Sequence, residues 1–194
     1  LQLSHVVLAS ASPRRRELLA LIFSEFEVVP SEFDESEMPG DLAPAESVLY
    51  SARMKARDVA RKYPDSLVIG ADTIVVVDDA ILGKPGDSED AARMLRMLSG
   101  REHQVYTGIT VIASEKERAA VECTNVRFRE LSDEVISRYI ASGEPMDKAG
   151  AYAIQGKGAV LITSISGCYP NVVGLPLYKL STLLQEFGVE PLCE

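Results

Sequence analysis

Along the chain, continuous apolar runs alternate with stretches in which apolar residues recur every three or four positions. HVVLA (5–9) is a short apolar run and predicts a buried strand. A helix is expected over 13–22, because Ser12 is a good N-cap and Pro13 suits the first helical position. FEVVP (26–30) predicts a second strand, and the acidic SEFDESEMPGDLAP (31–44) reads as an exposed loop. A long helix follows over about 45–63 and ends before Pro64. LVIGADTIVVVDD (67–79) is apolar and β-branched, hence a strand, after which DDAILGKP turns and presents Gly-Lys-Pro. SEDAARMLRMLSG (88–100) predicts a helix capped by Ser88 and closed by Gly100.

HQVYTGITVIAS (103–114) and RAAVECTNVRFREL (118–131) predict two long strands, and the charged EKE between them predicts a hairpin. SDEVISRYIASG (132–143) reads as a short helix, GAVLITSISG (158–167) as a strand and LPLYKLSTLLQEFG (175–188) as a last helix. Repeats, low-complexity tracts and Pro/Gly linkers are absent from the sequence. Alternating strands and helices with a mid-chain hairpin imply an α/β fold with a mixed sheet. A length of 194 residues implies one domain, 1–194, or two small lobes sharing a core.

Composition narrows the function classes. Apolar content of 46% and charged content of 25% fit an ordinary globular protein, and no apolar run is long enough to span a membrane. The first residues show no basic region leading into a long apolar segment and cleavage site, which favours a cytoplasmic location. A net charge of −9 repels polymeric nucleic acid but leaves room for a small anion in a local basic pocket. Cys123, Cys168 and Cys193 lack C-x-x-C spacing, which fits a reducing compartment and argues against a thiolate zinc site. His5 and His103 lack metal-ligand spacing, though either alone has the chemistry of a base.

Four segments break their own patterns. Arg14, Arg15 and Arg16 open a helix where acidic residues are normally favoured. They form either a solvated surface or, with Ser10 and Ser12 at the carboxyl end of a strand, a phosphate site. Lys55 falls among Val48, Ala52 and Val59 at spacings of four, three and four, so it either snorkels from an apolar stripe or aims an ammonium into a cleft. Asp72 interrupts an apolar strand; it serves a turn, or it must pair, ligate or react, because a buried lone carboxylate is costly. SGEPMDKAGAYAIQG (142–156) packs Glu144, Asp147, Lys148 and Gln155 among glycines. Cations at Arg14, Arg15, Lys55, Lys84 and Lys148, set against Glu35, Asp72 and Asp147, are the charges that a triphosphate and a divalent cation require.

LASASPRR, GADTIV followed by GKP, SGEPMDKAGAYAIQG and NVVGLPL occur in that order between about residues 6 and 188. Together they resemble the Maf family of nucleoside triphosphate pyrophosphatases, in its dTTP/UTP subgroup. The resemblance implies a twisted mixed sheet with flanking helices, two lobes around a central cleft, and often a homodimer. It implies hydrolysis between the α- and β-phosphates with Mg2+ or Mn2+, and a link to septum formation and nucleotide house-cleaning. By motif position, Ser10, Arg14 and Arg15 would hold phosphate, and Asp72 would accept a proton or, as the alternative, serve mainly as a metal ligand together with Glu35. Asp34 and Glu37 are close alternatives to Glu35. Lys55 and Lys84 would act in catalysis, and Thr73, Lys148 and Gln155 in substrate binding. The Gln155 amide offers a donor and an acceptor that match N3–H and O4 of uracil or thymine; because an amide can flip, rejection of cytosine and purines must come from its neighbours and the pocket shape. Competing expectations are a nucleotidyltransferase and a non-catalytic nucleotide sensor acting in cell division.

Overall fold

The computed structural model describes residues 5–191. Cys193 and both ends of the expected 1–194 domain lie outside the described residues. The elements run β1 (Val6–Ala9), α1 (Pro13–Leu19), β2 (Glu27–Val28), α2 (Pro44–Ala60), β3 (Leu67–Val77), β4 (Ala80–Leu82), α3 (Ser88–Leu98), β5 (Glu102–Ala113), β6 (Lys116–Phe128), α4 (Asp133–Ala141), β7 (Ile162–Ser166), α5 (Tyr169–Val173) and α6 (Leu177–Gln185). One sheet has the order β2-β1-β3-β5-β6-β7, with β4 paired to β3. β1 is parallel to both β2 and β3, whereas β3–β4 and β6–β7 are antiparallel. This is the mixed, helix-flanked α/β sheet that the sequence pattern implies. None of the described helices is long and apolar enough to cross a membrane.

Two local readings need correction. Asp87, not Ser88, caps α3: its side chain accepts from the N–H groups of Glu89 and Asp90, which satisfies two orphan donors at once. The strand expected over 158–167 begins only at Ile162, because Gly156–Leu161 closes into 3-10 turns. Gly156 has φ 77°, a left-handed conformation that starts this turn rather than an extended run.

The described residues divide into two compact units. The first comprises the described chain up to Asp72, with Thr107–Glu122 and the described residues from Gly174; the second comprises Thr73–Tyr106 and Cys123–Val173. β3, β5 and β6 each contribute residues to both.

In the first unit, Val7, Ala9 and Val68 from the sheet pack with Ala56 and Val59 of α2 and with Ile112. α2 begins at Pro44, where the Glu46 carboxylate reaches back to the Ala43 N–H at 3.3 Å. Its approach to the sheet is set by two glycines. A Cβ on Gly70 would meet the Ala52 carbonyl oxygen at 2.4 Å, and one on Gly108 would meet the Val48 carbonyl oxygen at 2.4 Å. Only hydrogen fits at these positions, so backbone packs directly on backbone.

The second unit has its own core, in which Leu95 and Leu98 of α3 and Ile136 of α4 join Val105, Phe128 and Tyr152. His103 lies inside it, 2% exposed, edge-on to Phe128 and Tyr152 with ring centroids 5.0 and 5.3 Å away. Its Nε2 is 2.8 Å from the Tyr152 hydroxyl, and burial lowers its pKa from 6.5 to about 4. This histidine is a core residue, not an available base. The unfolded chain takes up its proton below pH 6.5 and the folded protein does so only near 4. The stability it contributes is therefore whole above pH 6.5 and lost as pH falls to about 4, an effect of about 3 kcal/mol. Urea denaturation between pH 7 and 4.5 is expected to show a shallower acid slope in His103→Gln than in the parent. Equal slopes would mean that His103 titrates alike in both states.

Candidate functional site

The first unit gathers most of the charged candidates around one lysine. β1 pairs in register with β3, so that Ala9 stands opposite Gly70. The chain then leaves β1 through Ser10, two residues before α1 is capped. Ser12 accepts from the Arg15 N–H at 3.4 Å, as its position predicts. Ser10 is buried, and its hydroxyl oxygen accepts from the Ser12 N–H and from Arg15 Nη1, both at 3.2 Å. Arg15 Nε donates to the Gly174 carbonyl at 2.8 Å, so the guanidinium is fixed at both ends.

The arginine triplet therefore splits. Arg16 is exposed and fits the solvated reading, whereas Arg14 and Arg15 are half-buried. Burial lowers the Arg15 pKa; the Asp72 carboxylate opposes this, Arg14 adds to it and Glu35 opposes it. α1 is only seven residues long, so side-chain charge rather than an extended helix dipole defines this corner.

Lys55 does not snorkel into solvent. Its Nζ donates to Asp72 Oδ1 at 2.7 Å and to Glu35 Oε1 at 2.6 Å, and its side chain is 15% exposed. Asp72 is equally secluded at 16%, while Glu35 reaches in from the surface at 62%. Pairing with Lys55 meets the cost of placing Asp72 in an apolar strand.

The acidic loop reaches Lys55 because other residues hold it. Asp58 on α2 accepts from the Ser31 hydroxyl at 2.9 Å and from the Glu32 N–H at 2.8 Å, and Phe33 contacts the ring of Tyr50. Asp34 is occupied as the cap of the turn Glu35–Glu37, accepting from the Ser36 N–H at 2.8 Å. Of the three neighbouring acids, Glu35 is the one paired with Lys55. Sequence reading missed Asp58; its place one helical turn after Lys55 was the available signal.

The second unit holds the remaining candidates. Thr73 follows Asp72 on β3. Lys84 is exposed just after β4, and the Gly83 carbonyl accepts from the Gly150 N–H at 3.0 Å, which ties this segment to the glycine-rich stretch. Lys148 pairs with Asp147 while keeping only 14% exposure. Gln155 is half-buried, immediately ahead of the 3-10 turns at Gly156–Leu161.

Among the described residues, no three His, Cys, Asp or Glu side chains converge as a metal cage. Glu35 and Asp72, brought together on Lys55, supply two hard oxygen donors. That set fits Mg2+ or Mn2+ completed by substrate phosphates and water, and does not fit a cation held by protein alone.

The comparisons agree with this architecture. The family model for Maf-like proteins matches residues 5–187. A dTTP/UTP pyrophosphatase of Pelotomaculum thermopropionicum is 51% identical over 188 residues, 96% of this chain and 98% of the relative. One from Carboxydothermus hydrogenoformans is 51% identical over 185 residues, covering 94% and 98%, and one from Symbiobacterium thermophilum is 52% identical over 186, covering 96% and 95%. Among solved structures, the Staphylococcus aureus Ham1 protein shares the fold at a TM-score of 0.53 and 17% identity, covering 95% of this chain and all of that one. With its motifs in order over nearly the whole length and a full-length match to the family model, the chain belongs to the Maf-like protein family.

Proposed function

We propose that the protein hydrolyses dTTP and UTP to the monophosphate and pyrophosphate, with Mg2+ or Mn2+ required. The observation that carries this reading is the Lys55 bridge between Asp72 and Glu35 beside the fixed guanidinium of Arg15. The names borne by relatives about half identical over nearly their full length support the substrate class.

In this reading Arg14, Arg15 and Ser10 bind phosphate oxygens. Lys55 holds Asp72 through Oδ1, which leaves Oδ2 to accept the proton of a water attacking the α-phosphorus in line. Pyrophosphate departs as its developing charge is met by Arg15, Lys55 and Lys84. Glu35 would hold the divalent cation, whose chemistry is to neutralise phosphate oxygens; Asp72 would join it only in the alternative in which it is a ligand and not the base. Thr73, Lys148 and Gln155 bind substrate, with the Gln155 amide reading the pyrimidine edge. A homodimer belongs to the same reading on the strength of the family resemblance, and a cytoplasmic location on the unpatterned cysteines that fit a reducing compartment.

Pyrophosphate release from dTTP, UTP, CTP, GTP, 7-methyl-GTP and ATP, with magnesium or manganese and again with EDTA, tests it. Release from dTTP and UTP that stops with EDTA is the expected result. Turnover of 7-methyl-GTP instead would keep the reaction and overturn the base preference. Folded protein inactive on every nucleotide would favour a sensor.

A further inference from the structure

Gln155 has no regular element of its own to hold it, yet the residues on either side are tied to one point. The Tyr139 hydroxyl on α4 accepts from the Ala153 N–H at 3.1 Å and donates to Glu144 Oε1 at 2.9 Å. Glu144 Oε1 also accepts from the Gly158 N–H, and Oε2 from the Lys157 N–H, both at 2.9 Å. Ala153 precedes Gln155 by two residues and Lys157 follows it by two. The segment is thus pinned before and after the glutamine through one carboxylate and one phenol.

The space around this pair admits little else. A Cβ on Gly156 would lie 2.6 Å from Glu144 Oε2, and one on Gly158 would lie 2.2 Å from the Ala153 carbonyl oxygen and 2.7 Å from the Tyr139 hydroxyl. Burial pushes the Glu144 carboxyl up, but the N–H groups of Lys157 and Gly158 and the Tyr139 hydroxyl outweigh it and hold the pKa below the ordinary range. Glu144 is therefore the ionised acceptor that this geometry needs. Neither Glu144 nor Tyr139 has a part in the phosphate chemistry above.

We propose that Glu144 and Tyr139 are positioning residues that set Gln155 for discrimination among bases. The proposal rests on the base-reading role of Gln155 given under Proposed function. In Glu144→Gln an amide N–H₂ faces a backbone N–H, so one of the pins is lost at nearly constant volume. Tyr139→Phe removes the hydroxyl that joins Ala153 to Glu144.

The test compares kcat/KM for UTP and CTP in Glu144→Gln, Tyr139→Phe and Gln155→Ala, with hydrogen exchange read at the amides of Ala153, Lys157 and Gly158. Both positioning variants are expected to lower the UTP-to-CTP ratio about tenfold, the size of one hydrogen bond lost, with faster exchange at those amides. Equal loss on both nucleotides, at an unchanged ratio, would reduce the pair to a structural role and overturn the proposal. An unchanged ratio in Gln155→Ala would instead defeat the base-reading role itself, whatever the exchange rates show. Tyr139→Phe removes one hydroxyl only, so it keeps the test open should Glu144→Gln fail to fold.

Discussion

Replacing Asp72 with Asn is expected to lower pyrophosphate release from dTTP by about 10²–10⁴-fold while nucleotide binding is kept. Asn preserves size and polarity but cannot accept the proton of the attacking water. Lys55 keeps Glu35 at 2.6 Å, so its ammonium is not left alone in a secluded place. The variant also removes one negative charge beside Arg15 and Lys55, which lightens the repulsion met by an incoming triphosphate. Turnover by pyrophosphate assay and affinity by calorimetry with dTTP separate the two effects. Equal loss of both would make Asp72 a holder of substrate or cation rather than the base.

The second large effect is expected far from any reacting atom, at Gly70. An alanine there would bring Cβ to 2.4 Å from the Ala52 carbonyl oxygen, 2.8 Å from Ala56 Cβ and 2.9 Å from the Ala56 nitrogen. Two of these three are backbone and cannot rotate away, so α2 must recoil by about 1 Å to reach ordinary contact. Overpacking of this kind costs about 1–3 kcal/mol. The same recoil carries Lys55 from its 2.7 Å contact with Asp72, and a displacement of about 1 Å in a catalytic group costs about 10²-fold in rate. Urea denaturation and kcat on dTTP read the two losses. Gly40→Ala is the control: a Cβ there meets nothing within 4 Å, and a change within about 0.5 kcal/mol is expected. Normal activity in Gly70→Ala would show that the Lys55–Asp72 contact does not depend on the depth at which α2 is seated.

Much of this was legible from pattern. The periodicity of α2, the apolar run of β3 and the hairpin of β5 and β6 all stand where the sequence puts them, within a few residues. Asp72 and Lys55 announced themselves by breaking apolar patterns, since a charge there needs a reason. What periodicity could not give was the reason itself. It fixes the face on which Lys55 lies, but its two carboxylates come from β3 and from a loop 20 residues upstream. The Asp87 cap was missed because two good capping residues stand side by side. Residues 158–161 read as strand because they are apolar, whereas the tie from Glu144 and the left-handed Gly156 bend them into a turn. Apart from the cap, the misses lie where a contact distant along the chain, or a single backbone angle, outranked local preference.

Asp58 gives the first unit a mechanical property. By gripping Ser31 and Glu32 it makes the acidic loop a passenger of α2, the same helix that carries Lys55. A small slide of the helix moves Glu35 and Lys55 as one piece, so positional error between them largely cancels. Error relative to Asp72, which rides on β3, does not cancel. The tolerance of the arrangement is thus gathered into one dimension, the seating of α2 on β3 and β5, which one hydrogen atom each on Gly70 and Gly108 sets.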